Sequence, residues 1–201
     1  MAGPYQSDAL APSLHPSVCP NPVLLNGSAS ATPNDSDATS VVASSSCDSV
    51  GTSSVGVQSV SCSATDNAGD PASASAGYTV TYQFSDFASP LDGGVLNVAK
   101  PGQIIPLKWL LTDANGAPVT SLSSVSVSAV SLSCAVGTTQ DQVEGYATGA
   151  SGLQNLGDGY YQYNWKTPKS YAGSCKTLRL DLEEGSSTSP AYHTAAFKFT
   201  K

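Results

Sequence analysis

The chain has 201 residues, a length that suits one large or two small domains and is enough to bury a core. Charged residues make up 11% of it, less than half the usual share of about a quarter, whereas Ser and Thr together number 49, so hydroxyls rather than charges solvate its surface. With 40% hydrophobic residues, 18 Gly, 13 Pro and no long Ala/Leu/Glu/Lys stretch, a disordered tail and a helical bundle are both excluded, and an all-β, turn-rich chain is predicted.

Taken in chain order, P-N-P-V-L-L-N-G at 20 to 27 reads as an edge strand, because proline cannot donate to a ladder. Residues 41 to 50 form a further strand carrying Cys47. The strongest early signal is 56 to 65, G-V-Q-S-V-S-C-S-A-T, whose period-2 alternation puts Gln58, Val60, Cys62 and Ala64 on one face. The turn cluster D-N-A-G-D at 66 to 70 and the strand from Ser73 to Phe84 complete a β-hairpin. A change of composition over 85 to 93, ending in Gly93-Gly94, divides the chain into modules spanning 1–84 and 85–201.

In the second module, strands are predicted at Val95 to Ala99, Gln103 to Thr112, Val125 to Val136, Gly159 to Thr167, Cys175 to Leu182 and Ala195 to Thr200. Turns at D-A-N-G (113 to 116) and E-E-G-S (183 to 186) punctuate them, a spacing that predicts an antiparallel sandwich. Ile105, Leu107, Trp109 and Leu111 share one face of their strand, so Lys108 points the other way. Tyr161, Tyr163 and Trp165 share a face of theirs, with Gln162, Asn164 and Lys166 toward solvent.

All eight Lys and Arg lie from Lys100 onward, while the first 99 residues carry eight acids, so the net charge of −7 divides into −8 and +1. Clustered bases are what phosphate binding needs, so nucleic acid is excluded as a partner, and an anionic membrane surface would repel the first half. No run approaches the 18 or so apolar residues of a membrane span. The opening M-A-G-P-Y-Q-S-D-A-L lacks the basic and apolar regions of a secretory signal, which predicts either an excised fragment or a chain not exported by that route.

The five cysteines fall into Cys47 with Cys62 in the first module, Cys134 with Cys175 in the second, and Cys19 left over, either unpaired or intermolecular. Such pairs persist in oxidising compartments. The alternative is five reduced, buried thiols, and spacing alone does not fix connectivity.

Catalysis has little to work with. His15 and His193 are the two histidines, and no nucleophile elbow, H-E-x-x-H helix, phosphate-cradling loop or C-x-x-C pair is present, so no enzyme is expected. His15 and Cys19 supply at most half a metal site. Calcium is the one cofactor the loops suggest, through Asp35 and Asp37 in D-S-D and through Asp66 and Asp70 flanking the hairpin turn; the competing reading is that these acids cap turns. Tyr160 and the outward Lys108 are the candidates for a polysaccharide-binding platform, the Tyr161, Tyr163, Trp165 face being read mainly as core. A Lys108 amide cross-link needs a buried lysine beside an acid, which its outward phase disfavours. Asn26 and Asn34 begin N-x-S sequons.

Two resemblances follow from these residues. The segment from about Asp8 to Phe84, with V-S-C-S-A-T-D-N-A-G-D at 60 to 70 after a strand bearing Cys47, resembles hyalin-repeat and related bacterial Ig-like modules. The second module, with V-A-K-P-G-Q at 98 to 103, P-L-K-W at 106 to 109, T-D-A-N-G-A-P-V at 112 to 119 and G-D-G-Y-Y-Q-Y-N-W-K-T-P at 157 to 168, resembles the domain named for a Pro-x-Lys-Phe motif, with Trp109 at the Phe position. The resemblance implies two tandem Ig-like antiparallel β-sandwiches from an extracellular or cell-surface bacterial protein, acting as a structural or adhesive module, and both cysteine pairings fit it. It transfers no catalytic residue. Alternatives are a self-assembling filament or virion-decorating subunit whose N-terminal strand completes a neighbour's sheet, and a carbohydrate-binding accessory module.

Overall fold

A computed structural model describes residues 9–122, 124–134, 139–185 and 192–201. Asp8, the predicted strand end at Val136 and Ser186 of the second turn lie outside them. The chain divides into two compact units, residues 1–81 with 185–189, and 82–184 with 190–201.

The first unit is built from β1 (Ser13–Leu14), β2 (Ser17–Cys19), β3 (Val23–Leu24), β4 (Ser30–Thr32), β5 (Asp35–Ser36), β6 (Val42–Cys47), β7 (Gly56–Asp66) and β8 (Pro71–Thr81). Its main sheet runs β3-β8-β7-β6, and the ladders β1-β5 and β2-β4 stand apart from it. Alternation drives the arrangement. One face of β7 and β8 buries Val60, Ala76, Tyr78 and Val80, against which Val18 and Val23 from the N-terminal strands close the core. The Tyr78 hydroxyl donates to the Gly51 carbonyl at 2.8 Å, so the ring is buried with its polar tip satisfied.

The opposite face is largely hydroxyl-bearing, with Val57, Pro71 and Gly77 as its exposed exceptions. Ser44 and Ser46 on β6, Ser59, Ser61 and Ser63 on β7, and Ser73 and Ser75 on β8 are all exposed, with Ser61 opposite Ser75 and Ser63 opposite both Ser46 and Ser73. Cys47 and Cys62 are directly opposed on β6 and β7 and form a disulfide.

The second unit comprises β9 (Gln83–Phe84), β10 (Leu96–Ala99), β11 (Ile104–Thr112), β12 (Ser126–Leu132), β13 (Gln140–Gln142), β14 (Gly152–Gly157), β15 (Tyr160–Lys166), β16 (Cys175–Asp181) and β17 (His193–Phe199). Gln83–Phe84, read from sequence as the end of the first module, pairs with β11 in this unit. One sheet runs β14-β15-β11-β9 and the other β12-β16-β17-β10-β13. Ile105, Leu107, Trp109, Leu111, Tyr161 and Trp165 are buried from the first, and Leu178, Leu180, Phe197 and Phe199 from the second. Trp165 meets Phe197 edge-on at 5.3 Å across the layers. The second disulfide joins Cys134, just past β12, to Cys175 at the start of β16.

Three expectations are corrected. Pairing is not wholly antiparallel: β10 runs parallel to both β17 and β13, and β3 parallel to β8. Parallel neighbours need long connections, and the chain between β10 and β17 supplies one. Tyr163 is only half-buried while Asn164 is buried, because the chain before β14 covers that side of the sheet. There the Gln162 amide donates to Asn164 Oδ1 at 2.8 Å, and the Ser151 hydroxyl donates to the Asn164 carbonyl at 2.7 Å. Finally β13 and β14 form where no strand is predicted, since the exposed Q-D-Q and the glycine-flanked L-Q-N-L carry little alternation.

Candidate functional site

Lys108 lines a cleft of the second unit. Across the ladder it faces Gln162, and with Pro106 the two form a floor on the outward side of β11 and β15. Ser89 and Pro90 make one wall and Glu144 to Ala147 the other, enclosing about 470 Å³. The far wall is fixed by the Lys100 N–H, which donates to the Tyr146 hydroxyl at 3.0 Å, and by the Ala147 N–H, which donates to the Ile104 carbonyl at 2.9 Å. One cation, one carboxylate, one amide and one phenol thus converge on a partly apolar slot, a composition suited to orienting a polar ligand. A contiguous recess adds Asp92 and Asp141 beside Glu144. Tyr160, the other half of the predicted platform, is 53% exposed on the same side of the sheet but does not line the cleft.

The loop acids of the first unit separate into two groups. Asp35 sits in the two-residue ladder opposite Leu14, and Asp70 contributes its backbone N–H, which donates to Asp66 Oδ1 at 2.8 Å. Asp37 and Asp66 come together through Ser40. Asp37 Oδ1 accepts the N–H groups of Thr39 and Ser40 at 2.8 and 2.7 Å, and the Ser40 hydroxyl stands beside the Asp66 carboxyl. Burial works to raise the Asp66 pKa. The Asp70 N–H, the Ser40 hydroxyl and the N–H groups of Gly69 and Ala68 outweigh it and hold the carboxyl below its ordinary 3.8. Among the described residues, no three His, Cys, Asp or Glu side chains form a metal-ligand group.

The histidines have other surroundings. His193 lies against the Phe84 ring at 3.8 Å, with Nε2 3.4 Å from Glu184 Oε2 but out of hydrogen-bond alignment. Glu184, 1% exposed, uses its other oxygen to accept the Tyr82 N–H at 2.7 Å. Burial and this carboxylate together raise the Tyr82 phenol above its usual value. His15 and Cys19 are both exposed, and Cys19 is unpaired. The Asn34 amide donates to the His15 carbonyl and to Ser17 Oγ, so one sequon nitrogen is already engaged. The N-terminal strand proposed for exchange is held in its own unit, with Val23 2% exposed beside β8.

No helix among the described residues is long and apolar enough to cross a membrane. No protein-family model matches the chain and no curated protein is similar to it. Among solved structures, the chain overlays domains 4 and 5 of the S-layer protein SbsC at 13% identity and a TM-score of 0.30, covering 96% of this chain and 100% of that one. A longer SbsC structure, domains 4–9, gives 12% identity and the same TM-score over 96% of this chain and 31% of that one. A chimeric titin Z1Z2-Z1Z2 tandem gives 18% identity and a TM-score of 0.24 over 71% and 64%. No residue role is transferred from these likenesses.

Proposed function

We propose that this chain is a non-catalytic pair of Ig-like modules serving a structural or adhesive role outside the bacterial cell. The observation that carries the reading is one disulfide in each unit, tying neighbouring strands across separations of 15 and 41 residues. Cross-links of this kind persist in oxidising compartments and restrain the unfolded chain, which suits modules that space or display other domains. The order of the second unit supports the Ig-like assignment: β9, β11, β15 and β14 occupy the places of strands A, B, E and D, and β12, β16 and β17 those of C, F and G.

Force spectroscopy on the full chain tests the mechanical reading. Each unit should unfold as its own event, and reduction should lengthen the two extensions by roughly 50 Å and roughly 140 Å, at about 3.5 Å per released residue. Five alkylatable thiols in protein taken from its source, or extensions unchanged by reduction, would overturn it. A second reading, binding of a polysaccharide, is favoured by the Lys108 cleft alone. Retardation in a polysaccharide gel that Lys108→Met and Gln162→Ala abolish would support it, and unretarded migration of the parent chain would end it.

A further inference from the structure

A polar row crosses the strands on the outward side of the sheet that holds the cleft. Lys108 on β11 lies opposite Gln162 on β15, which lies opposite Gln154 on the edge strand β14. Two strand spacings separate its ends, about 10 Å, the length of a disaccharide. The next row sets Tyr160, 53% exposed, beside Leu110, an apolar step on which a sugar ring can stack. The cleft walls close the row at Lys108, while Gln154 is exposed at the other end.

The unspent hydrogen-bonding groups decide what fits. Lys108 is half-buried, yet among the described residues nothing accepts from its ammonium and no carboxylate comes within ion-pair reach, Glu144 on the same cleft included. Gln162 gives one amide N–H to Asn164 at 2.8 Å and leaves its Oε1 without a described donor. A cation that only donates thus stands beside an amide oxygen and a carboxylate that only accept. A neutral sugar offers Lys108 hydroxyl and ring oxygens, whereas a carboxylate adds the charge that a half-buried ammonium lacks.

We propose that the cleft binds a uronate-containing polysaccharide. One uronic acid places its carboxylate on Lys108 Nζ and donates its ring hydroxyls to Gln162 Oε1 and Glu144, and the chain runs on over Gln154 and Tyr160 toward the β14 edge. The inference rests on the polysaccharide reading of this cleft and deepens it by naming the sugar.

The test is frontal affinity chromatography of the full chain, disulfides intact, over immobilised polygalacturonate and alginate, over the methyl ester of each, and over hydroxyethylcellulose. It is run at about 0.15 M salt, where charges more than about 8 Å from the ligand are screened. At least one uronate should be retained, with affinity at least about tenfold above that of its uncharged ester. Lys108→Gln should lose at least about tenfold on the uronate, while Lys176→Gln, which removes a cation of β16 in the other sheet, should leave retention unchanged. If Lys108→Gln fails to fold, the ester comparison decides. Retention of hydroxyethylcellulose but of neither uronate would overturn this inference and leave the polysaccharide reading standing; retention on no column would end both. An ester bound as tightly as its acid, or Lys176→Gln as damaging as Lys108→Gln, would also overturn the uronate assignment.

Discussion

Replacing Tyr161 by Phe isolates the contribution of one buried hydroxyl. The ring is fully buried, and its hydroxyl donates to the Val119 carbonyl at 2.9 Å while accepting the Leu122 N–H at 3.1 Å. The substitution keeps the ring and its packing against Trp109 at 6.2 Å, but leaves a carbonyl and an amide unpaired beside the core. Each such group costs about 1–3 kcal/mol, so a loss of about 3 kcal/mol is expected once the more apolar ring is credited. Both tryptophans, Trp109 and Trp165, lie in the second unit. Tryptophan fluorescence during urea unfolding therefore reports that unit. With a denaturant slope of about 2 kcal/mol/M, the midpoint should fall by about 1.5 M with the slope unchanged. A fall below about 0.3 M would refute the reasoning, because it would mean that the 119–122 segment does not depend on Tyr161.

Gly159 sits at φ +79°, and a Cβ there would lie 2.5 Å from the Leu111 carbonyl oxygen; Gly159→Ala should cost at least about 2 kcal/mol, and an unchanged melting temperature would contradict this. Trp109 Nε1 is buried with no partner, so Trp109→Phe should cost less than about 1.5 kcal/mol where Trp109→Ala costs about 3–5, a contrast readable in the same urea curves. The depressed Asp66 pKa contributes stability to the first unit above pH 3.8 that is lost as the pH falls through the lower folded value. Protection of Val60 and Tyr78 from hydrogen exchange, corrected for the intrinsic pH dependence of exchange, should fall over that interval in the parent and change less in Asp66→Asn.

Alternation made β7, β8, β11 and β15 readable, because their inward faces are largely apolar and, except on β11, where Ile104, Pro106 and Leu110 lie on the outer side, their outward residues are mostly hydroxyl-bearing or polar. Cysteine pairing followed once the modules were divided. Asn164 was misread because its burial is imposed by a covering loop about 14 residues upstream rather than by its own strand. Asn97 gave no signal either: fully buried, it donates to the carbonyls of Asp92 and Ala196 and so secures β10 against β17, a role that belongs to tertiary context. The cleft walls come from segments more than 50 residues apart, brought together by sheet pairing that no local pattern encodes. Asp37 and Asp66 were visible as loop acids, whereas Ser40 was one hydroxyl among 49 Ser and Thr.

The serine face of β6, β7 and β8 has a colloidal consequence. Surfaces coated with ions keep apart by a repulsion that shrinks to a range of about 3 Å in molar salt. Neutral hydroxyls hold water by short dipolar contacts that mobile ions do not screen. Crowded side by side through this face, copies of this unit would meet across a bound layer of water that salt does not thin, while the longer-range repulsion from the six acids the unit carries without a base fades as salt is added.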